Sequence, residues 1–196
     1  MRDRRRAPEG GANPYASGVD GSPIERFDDV VDRLFDVLRG QPIVDRVMYS
    51  VTELADFSVL WHLLGVAQGL TRADGFERTL RMSAALGIES LLVNGGIKSL
   101  VRRRRPVPQF ERPHELRIPR TSSFPSGHAS SAFVAAALLS DGSRAKPAYY
   151  ALATVVAASR IHVRVHHASD VVGGIVLGVG LGAVAKRAGR IGKTPR

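Results

Sequence analysis

Residues 121–140 form a run of twenty positions without a formal charge. The run opens as T-S-S-F-P-S-G-H and closes in the Ala-rich stretch 129–140. A hydroxyl, a glycine and a histidine therefore stand at the foot of an apolar helix. The chain must bury that helix while its first turn faces something polar. Other apolar stretches repeat the theme at 57–70, 78–98, 148–159 and 171–185, so the chain reads as an all-α bundle. The average hides this pattern: hydrophobic residues are 44 % and the mean hydropathy is −0.04. The apolar residues are bunched rather than spread.

Taken in order, 1–21 is a basic stretch rich in Arg, Gly, Pro and Ala without periodicity, expected to be a disordered tail. It lacks the apolar core of a secretory signal peptide. Ser22, Pro23 and Glu25 spell a helix start, with Ser22 as N-cap and Glu25 closing a capping box. Phe27, Val30, Val31, Leu34 and Leu38 follow at helical spacing, opposed by Asp28, Asp29, Asp32, Arg33 and Asp36. This helix is too charged to span a bilayer; the expectation is that it lies at the interface or packs on the bundle. A second helical run is expected from about 43 to 69, then helices at 78–98, 129–140, 148–159 and 171–185. A basic loop at 99–123 contains Pro106, Pro108, Pro113 and Pro119, and 187–196 reads as a basic tail. No internal repeat, glycine-rich nucleotide fingerprint, Walker motif or H-E-x-x-H spacing appears.

The uncharged runs fall short of the ~20 residues that a confident span requires. Two features favour a membrane nonetheless. One is the 121–140 stretch. The other is Gly174, Gly178 and Gly182, whose four-residue spacing lets helices approach closely in lipid. The expectation is about six helices, with five spans near 54–70, 80–98, 127–140, 148–162 and 169–186 and an amphipathic helix ahead of them. Asp56 and Glu89 are costly facing lipid and are expected to face the bundle interior or lie near an interface.

Three stretches carry chemistry. Lys98, Arg105 and Arg160 can clamp a phosphate, and a formal net charge of +10 fits an anionic partner. Ser126 can donate its hydroxyl. If Gly127 and His128 open a helix, their backbone N–H groups point at a bound anion, and Gly127 lets it come close. His166 and Asp170 are four apart, so on a helix they share a face. The carboxylate can then hold one imidazole nitrogen protonated and free the other to attack phosphorus, which selects His166 over His167. His128 remains as the acid for the leaving alcohol. The expected path is a phosphohistidine, later hydrolysed by water, with no metal or other cofactor because the cations neutralise charge. There is no cysteine, so disulfides, thiolate–zinc sites and thiol nucleophiles are excluded.

As a set these motifs resemble the type-2 phosphatidic acid phosphatases, the lipid phosphate phosphatases that share their site with vanadate-dependent haloperoxidases. The family pattern K-x6-R-P, P-S-G-H and S-R-x5-H-x3-D is matched by Lys98…Arg105-Pro106, Pro125-Ser126-Gly127-His128 and Ser159-Arg160…His166…Asp170. The resemblance implies a helical membrane enzyme, independent of Mg²⁺, acting on a lipid phosphate or diphosphate. It assigns phosphate binding to Lys98, Arg105, Ser126, Gly127 and Arg160, and catalysis to His128, His166 and Asp170. The Arg-rich N-terminus and the I-P-R-T-S-S-F-P-S-G-H run also resemble an actinobacterial branch, which includes proposed phosphatases for decaprenyl-phosphoryl-5-phosphoribose in cell-wall arabinan synthesis. Undecaprenyl diphosphate, phosphatidate and phosphatidylglycerophosphate are the rival substrates. A noncatalytic protein binding nucleic acid or anionic membrane is the reading from another class; it leaves the paired histidines unexplained, so no nucleic-acid partner is expected. Lys and Arg outside the spans are more numerous on the side of the motifs, which places the site toward the cytoplasm of a plasma-membrane protein. Nothing in the sequence speaks to oligomeric state.

Overall fold

The computed structural model describes residues 21–107 and 116–189, and is helical without strands across them. In chain order the helices are α1 Pro23–Asp36, α2 Pro42–Leu54, α3 Val59–Gly69, α4 at 75–100, α5 Gly127–Leu139, α6 Lys146–His162 and α7 Ala168–Ala188. Residues 1–20 of the tail expected at 1–21, Pro108 and Pro113, and the end of the chain from 190 lie outside the described residues. α7 itself runs past the expected boundary at 186, to Ala188.

The described residues hold seven helices where about six were expected. The difference falls in 43–69, where one run was expected. Phe57 and Ser58 take left-handed φ angles of 52° and 59°, and a 3-10 turn at Asp56–Ser58 separates α2 from α3. Asp and Ser offer their own hydrogen bonds to the backbone and favour such breaks. α4 also changes pitch. It is α-helical over Gly75–Ser90, π-helical over Leu91–Ile97 and α-helical again over Lys98–Leu100. The wider π turn alters the face on which Lys98 emerges.

α5 is the centre of the bundle. Every residue from 129 to 137 is buried, as expected for a helix apolar all round. Its alanines and serines let neighbours approach, and α7 answers with glycine. A Cβ on Gly174 would stand 2.4 Å from the Ser126 carbonyl oxygen, and one on Gly178 would stand 2.4 Å from that of Ser130. The spacing read from sequence is therefore the α5–α7 seam. The outer faces of the bundle are apolar: Leu63, Leu80, Leu91, Val176 and Val184 are all more than half exposed. Among the described residues α7 is the one helix long and apolar enough to cross a membrane by length and composition, and α5 is apolar but shorter.

α1 starts as its sequence predicts. Ser22 Oγ accepts the Glu25 N–H at 3.2 Å, and Glu25 Oε2 accepts the Ser22 N–H at 2.7 Å. It packs on the bundle with its acidic stripe inward. Asp28 is buried, while Phe27, Val30 and Leu34 point outward. Asp32 and Asp36 receive Arg39 and Arg164. Arg39 also donates to the carbonyls of Ile161 and His162, tying α1 to the end of α6.

Candidate active site

The polar ends of α4, α5, α6 and α7 meet at one end of the bundle. Ser126 is the N-cap of α5; its Oγ accepts the Ala129 N–H at 3.4 Å, and its N–H donates to the Asp170 carbonyl at 2.9 Å. That leaves the hydroxyl hydrogen to donate, although Ser126 is fully buried. Gly127 begins the helix. A Cβ there would lie 3.2 Å from Asn94 Oδ1 and 3.7 Å from Lys98 Nζ. The ammonium thus points at the N-terminus of α5, where orphan N–H groups and the helix dipole favour an anion. Among the described residues no hydrogen bond or ion pair holds Lys98.

Arg105 enters from the segment after α4. Its Nη1 donates to the Val165 carbonyl at 2.8 Å and lies 3.2 Å from His166 Nε2; Nε donates to the Pro119 carbonyl at 3.1 Å. Arg160 stands near the end of α6, buried, and its guanidinium donates to Thr52 on α2. Lys98, Gly127, His128, Arg160 and His166 all line a cavity of about 470 Å³. Arg105 lines the basic groove beside it, to which Lys98 also contributes.

His166 is 3 % exposed. Burial, and then the charges of Arg160 and Arg105, push its pKa down to about 3 against the pull of Asp170, so the ring is neutral at pH 7. The pairing with Asp170 does not arise on a helix as the spacing suggested. His166 lies in the turn before α7, because His167 has the extended φ and ψ of an N-cap (−75° and 161°) and the helix starts at Ala168. Asp170 reaches back from the first turn. Its Oδ2 lies 3.6 Å from His166 Nδ1 and 3.2 Å from His167 Nδ1, and accepts the His167 N–H at 2.9 Å. The carboxylate therefore meets both histidines. What separates them is the cavity, which His166 lines and His167 does not.

Asp170 is also held by residues the sequence did not single out. Ser123 Oγ donates to Oδ2, and Arg103 Nη1 donates to Oδ1 at 2.6 Å. Arg103 Nη2 continues to Asp28 Oδ2 at 2.6 Å. Asp28 in turn accepts the Ser169 N–H at 2.7 Å and its hydroxyl at 2.8 Å. Arg103 sits in the basic run 102–105, where the sequence does not set it apart from its neighbours. The signal for its partner was the i, i+4, i+8 spacing of Asp28, Asp32 and Asp36.

His128, in the first turn of α5, has a carboxylate of its own: Nε2 is 2.8 Å from Asp56 Oδ1. The left-handed turn at Phe57 and Ser58 aims Asp56 inward, as expected. His162 pairs with Asp45 at 2.7 Å and is absent from the cavity lining. His62, on α3, lines the cavity and lies 3.1 Å from Ser83 Oγ. Arg117 stacks over Phe57 at the cavity rim, 4.3 Å from the ring centroid.

A family model described as the PAP2 superfamily matches residues 78–190. Decaprenylphosphoryl-5-phosphoribose phosphatase of Mycobacterium tuberculosis, from strains CDC 1551 / Oshkosh and ATCC 25618 / H37Rv, is 41 % identical over 98 residues. That match covers 47 % of this chain and 51 % of the relative, so the chain spans about half the length of the curated relatives it matches. The crystal structure of a transmembrane PAP2 type phosphatidylglycerolphosphate phosphatase from Bacillus subtilis superposes with a TM-score of 0.66 at 28 % identity, covering 91 % of this chain and 92 % of that one. LpxE from Aquifex aeolicus superposes with a TM-score of 0.67 at 24 % identity, covering 86 % and 97 %, and supports the fold alone.

Proposed function

Because the chain belongs to the PAP2 superfamily, we propose that it is an integral membrane phosphatase that removes phosphate from a polyprenyl-linked lipid through a phosphohistidine on His166. The observation that carries this reading is the position of His166. Its ring is buried and neutral, Nε2 lies beside Arg105, Nδ1 faces the Asp170 carboxylate, and the side chain opens on the cavity that Lys98 and Gly127 also line.

The chemistry follows from that arrangement. Lys98, Arg105 and Arg160, with the hydroxyl of Ser126 and the N–H groups of Gly127 and His128, hold the phosphate oxygens and neutralise their charge. Nε2 of His166 attacks phosphorus as the bond to the leaving alcohol oxygen breaks. His128 gives that oxygen its proton, and Asp56 orients the imidazole. Asp170 stabilises the charge that develops on the His166 ring. A water then attacks phosphorus, His128 takes the water's proton, and the N–P bond breaks to release phosphate and the free histidine. Three fixed cations supply what a metal would supply, so the reaction is metal-independent.

The exposed apolar faces of α3, α4 and α7 support a multi-pass membrane protein, and the five spans are those read from the apolar runs of the sequence. The excess of Lys and Arg on the side of the site supports a site facing the cytoplasm of the plasma membrane. The 41 % match supports a substrate of the decaprenyl-phosphoryl-5-phosphoribose kind, and with it a place in cell-wall synthesis. The fold match to a phosphatidylglycerolphosphate phosphatase supports a glycerolipid phosphate as the second reading. The test is phosphate release by purified protein in detergent from a panel holding a polyprenyl-phosphoryl ribose phosphate, a polyprenyl diphosphate, phosphatidate and phosphatidylglycerophosphate. The ribose phosphate should be turned over fastest. A higher rate on either glycerolipid would overturn the polyprenyl assignment.

A further inference from the structure

α4 turns a polar ladder toward the cavity: Glu89, Ser90, Asn94 and Lys98 all line it. Lys98 is accounted for by the phosphate. Glu89 is not. It is 3 % exposed, and its Oε1 has no hydrogen-bond partner among the described residues. Ser130 and Lys98 are the groups near enough to act on it electrostatically. The Ser130 hydroxyl stands beside the carboxyl, but neither it nor Glu89 Oε1 meets hydrogen-bond geometry among the described residues, and no ion pair joins Glu89 to Lys98 there. A buried carboxyl oxygen left without a partner between apolar helices is expensive. A leaving group made only of prenyl or acyl chain gives it nothing to bind.

We infer that Glu89 and Asn94 form a subsite for a polyhydroxylated leaving group, a pentose or glycerol carrying the phosphate that is removed. The inference rests on the phosphatase reading above. With phosphate between Lys98, Gly127 and His166, the ester oxygen must point away from Nε2 for in-line displacement, and must reach His128. The group attached to that oxygen then enters the rest of the same cavity. Free hydroxyls there donate to the Glu89 carboxyl, while the Asn94 amide, already donating to Ser90 Oγ at 3.1 Å, keeps its oxygen as a second acceptor. Asn94 is exposed along the cavity, whereas Glu89 is buried; a buried polar group satisfied only by substrate hydroxyls makes the site reject an analogue that lacks them.

The test compares two substrates of the detergent-solubilised full chain. One is a polyprenyl-phosphoryl ribose 5-phosphate. The other is the same lipid with its 2,3-diol blocked as the isopropylidene acetal. Wild-type kcat/KM should favour the free diol by about tenfold or more. Glu89→Leu, which removes a buried carboxyl and so should not harm folding, should bring that ratio to within about twofold of unity. If Glu89→Leu is not recovered folded, Asn94→Ala carries the same test, with at least a threefold fall in the ratio expected (roughly the loss of one hydrogen bond). No preference in the wild type, or a preference the variant retains, overturns the inference even if both rates fall together. Release from neither substrate by the wild type would instead overturn the phosphatase reading, and the inference with it.

Discussion

At the residue scale two imidazoles, His128 and His166, are placed differently by their carboxylates. His128→Ala would remove the proposed leaving-group acid and should lower kcat by about 10²–10⁴-fold. The loss should be smaller for a substrate with an activated leaving group such as p-nitrophenol, and equal losses on both substrates would argue against the acid role. His166 also makes a pH prediction. Its folded pKa of about 3 lies below the ordinary value of 6.5, so the unfolded chain takes up a proton that the folded chain refuses. The stability this contributes is present above pH 6.5 and is lost as pH falls toward 3. Unfolding midpoints followed from pH 7 to 4 should show the wild type losing stability relative to His166→Asn as the pH drops; parallel curves would contradict the burial of a neutral ring. The spacing of His166 and Asp170 was legible in the sequence, but the reason for it was not. Asp170 meets both histidines, and only the cavity distinguishes the one that can touch substrate.

At the scale of elements, α1 is more than an amphipathic cover. Its Asp28 holds Arg103, and Arg103 holds Asp170. Asp28→Ala should therefore lower kcat roughly ten- to a hundredfold, the range seen when a partner orienting an active group is lost. KM should change little, since no phosphate ligand is removed. A large rise in KM with kcat preserved would contradict the positioning role. The α5–α7 seam yields a second prediction. Gly178→Val pushes a side chain into the Ser130 carbonyl and should cost about 1–3 kcal/mol, read as a lower thermal midpoint in detergent. These elements were unequally legible. The α1 capping box and the glycine seam are local patterns and were readable from sequence. The break at Phe57–Ser58 and the π segment at Leu91–Ile97 were not, because both are set by what the helices must reach in the bundle. The acidic stripe of α1 was visible, but periodicity alone could not say that it faced inward toward arginines.

At the scale of the whole molecule, the site gathers the ends of four helices at one end of the bundle, with α1 bracing it. That convergence depends on all the apolar helices being in register, which no single motif encodes. Sidedness is a property of the same scale. In intact cells, a label at 107–120 should stay unreactive to a membrane-impermeant reagent until the cells are opened; reaction from outside would reverse the orientation. The central claim is tested most directly by phosphate release from a polyprenyl-phosphoryl ribose phosphate in excess EDTA, by wild type and His166→Ala side by side. The wild type should turn over at its full rate in EDTA, and the variant should be slower by at least about a thousandfold. Turnover that persists in His166→Ala, or that disappears from the wild type in EDTA, would contradict it.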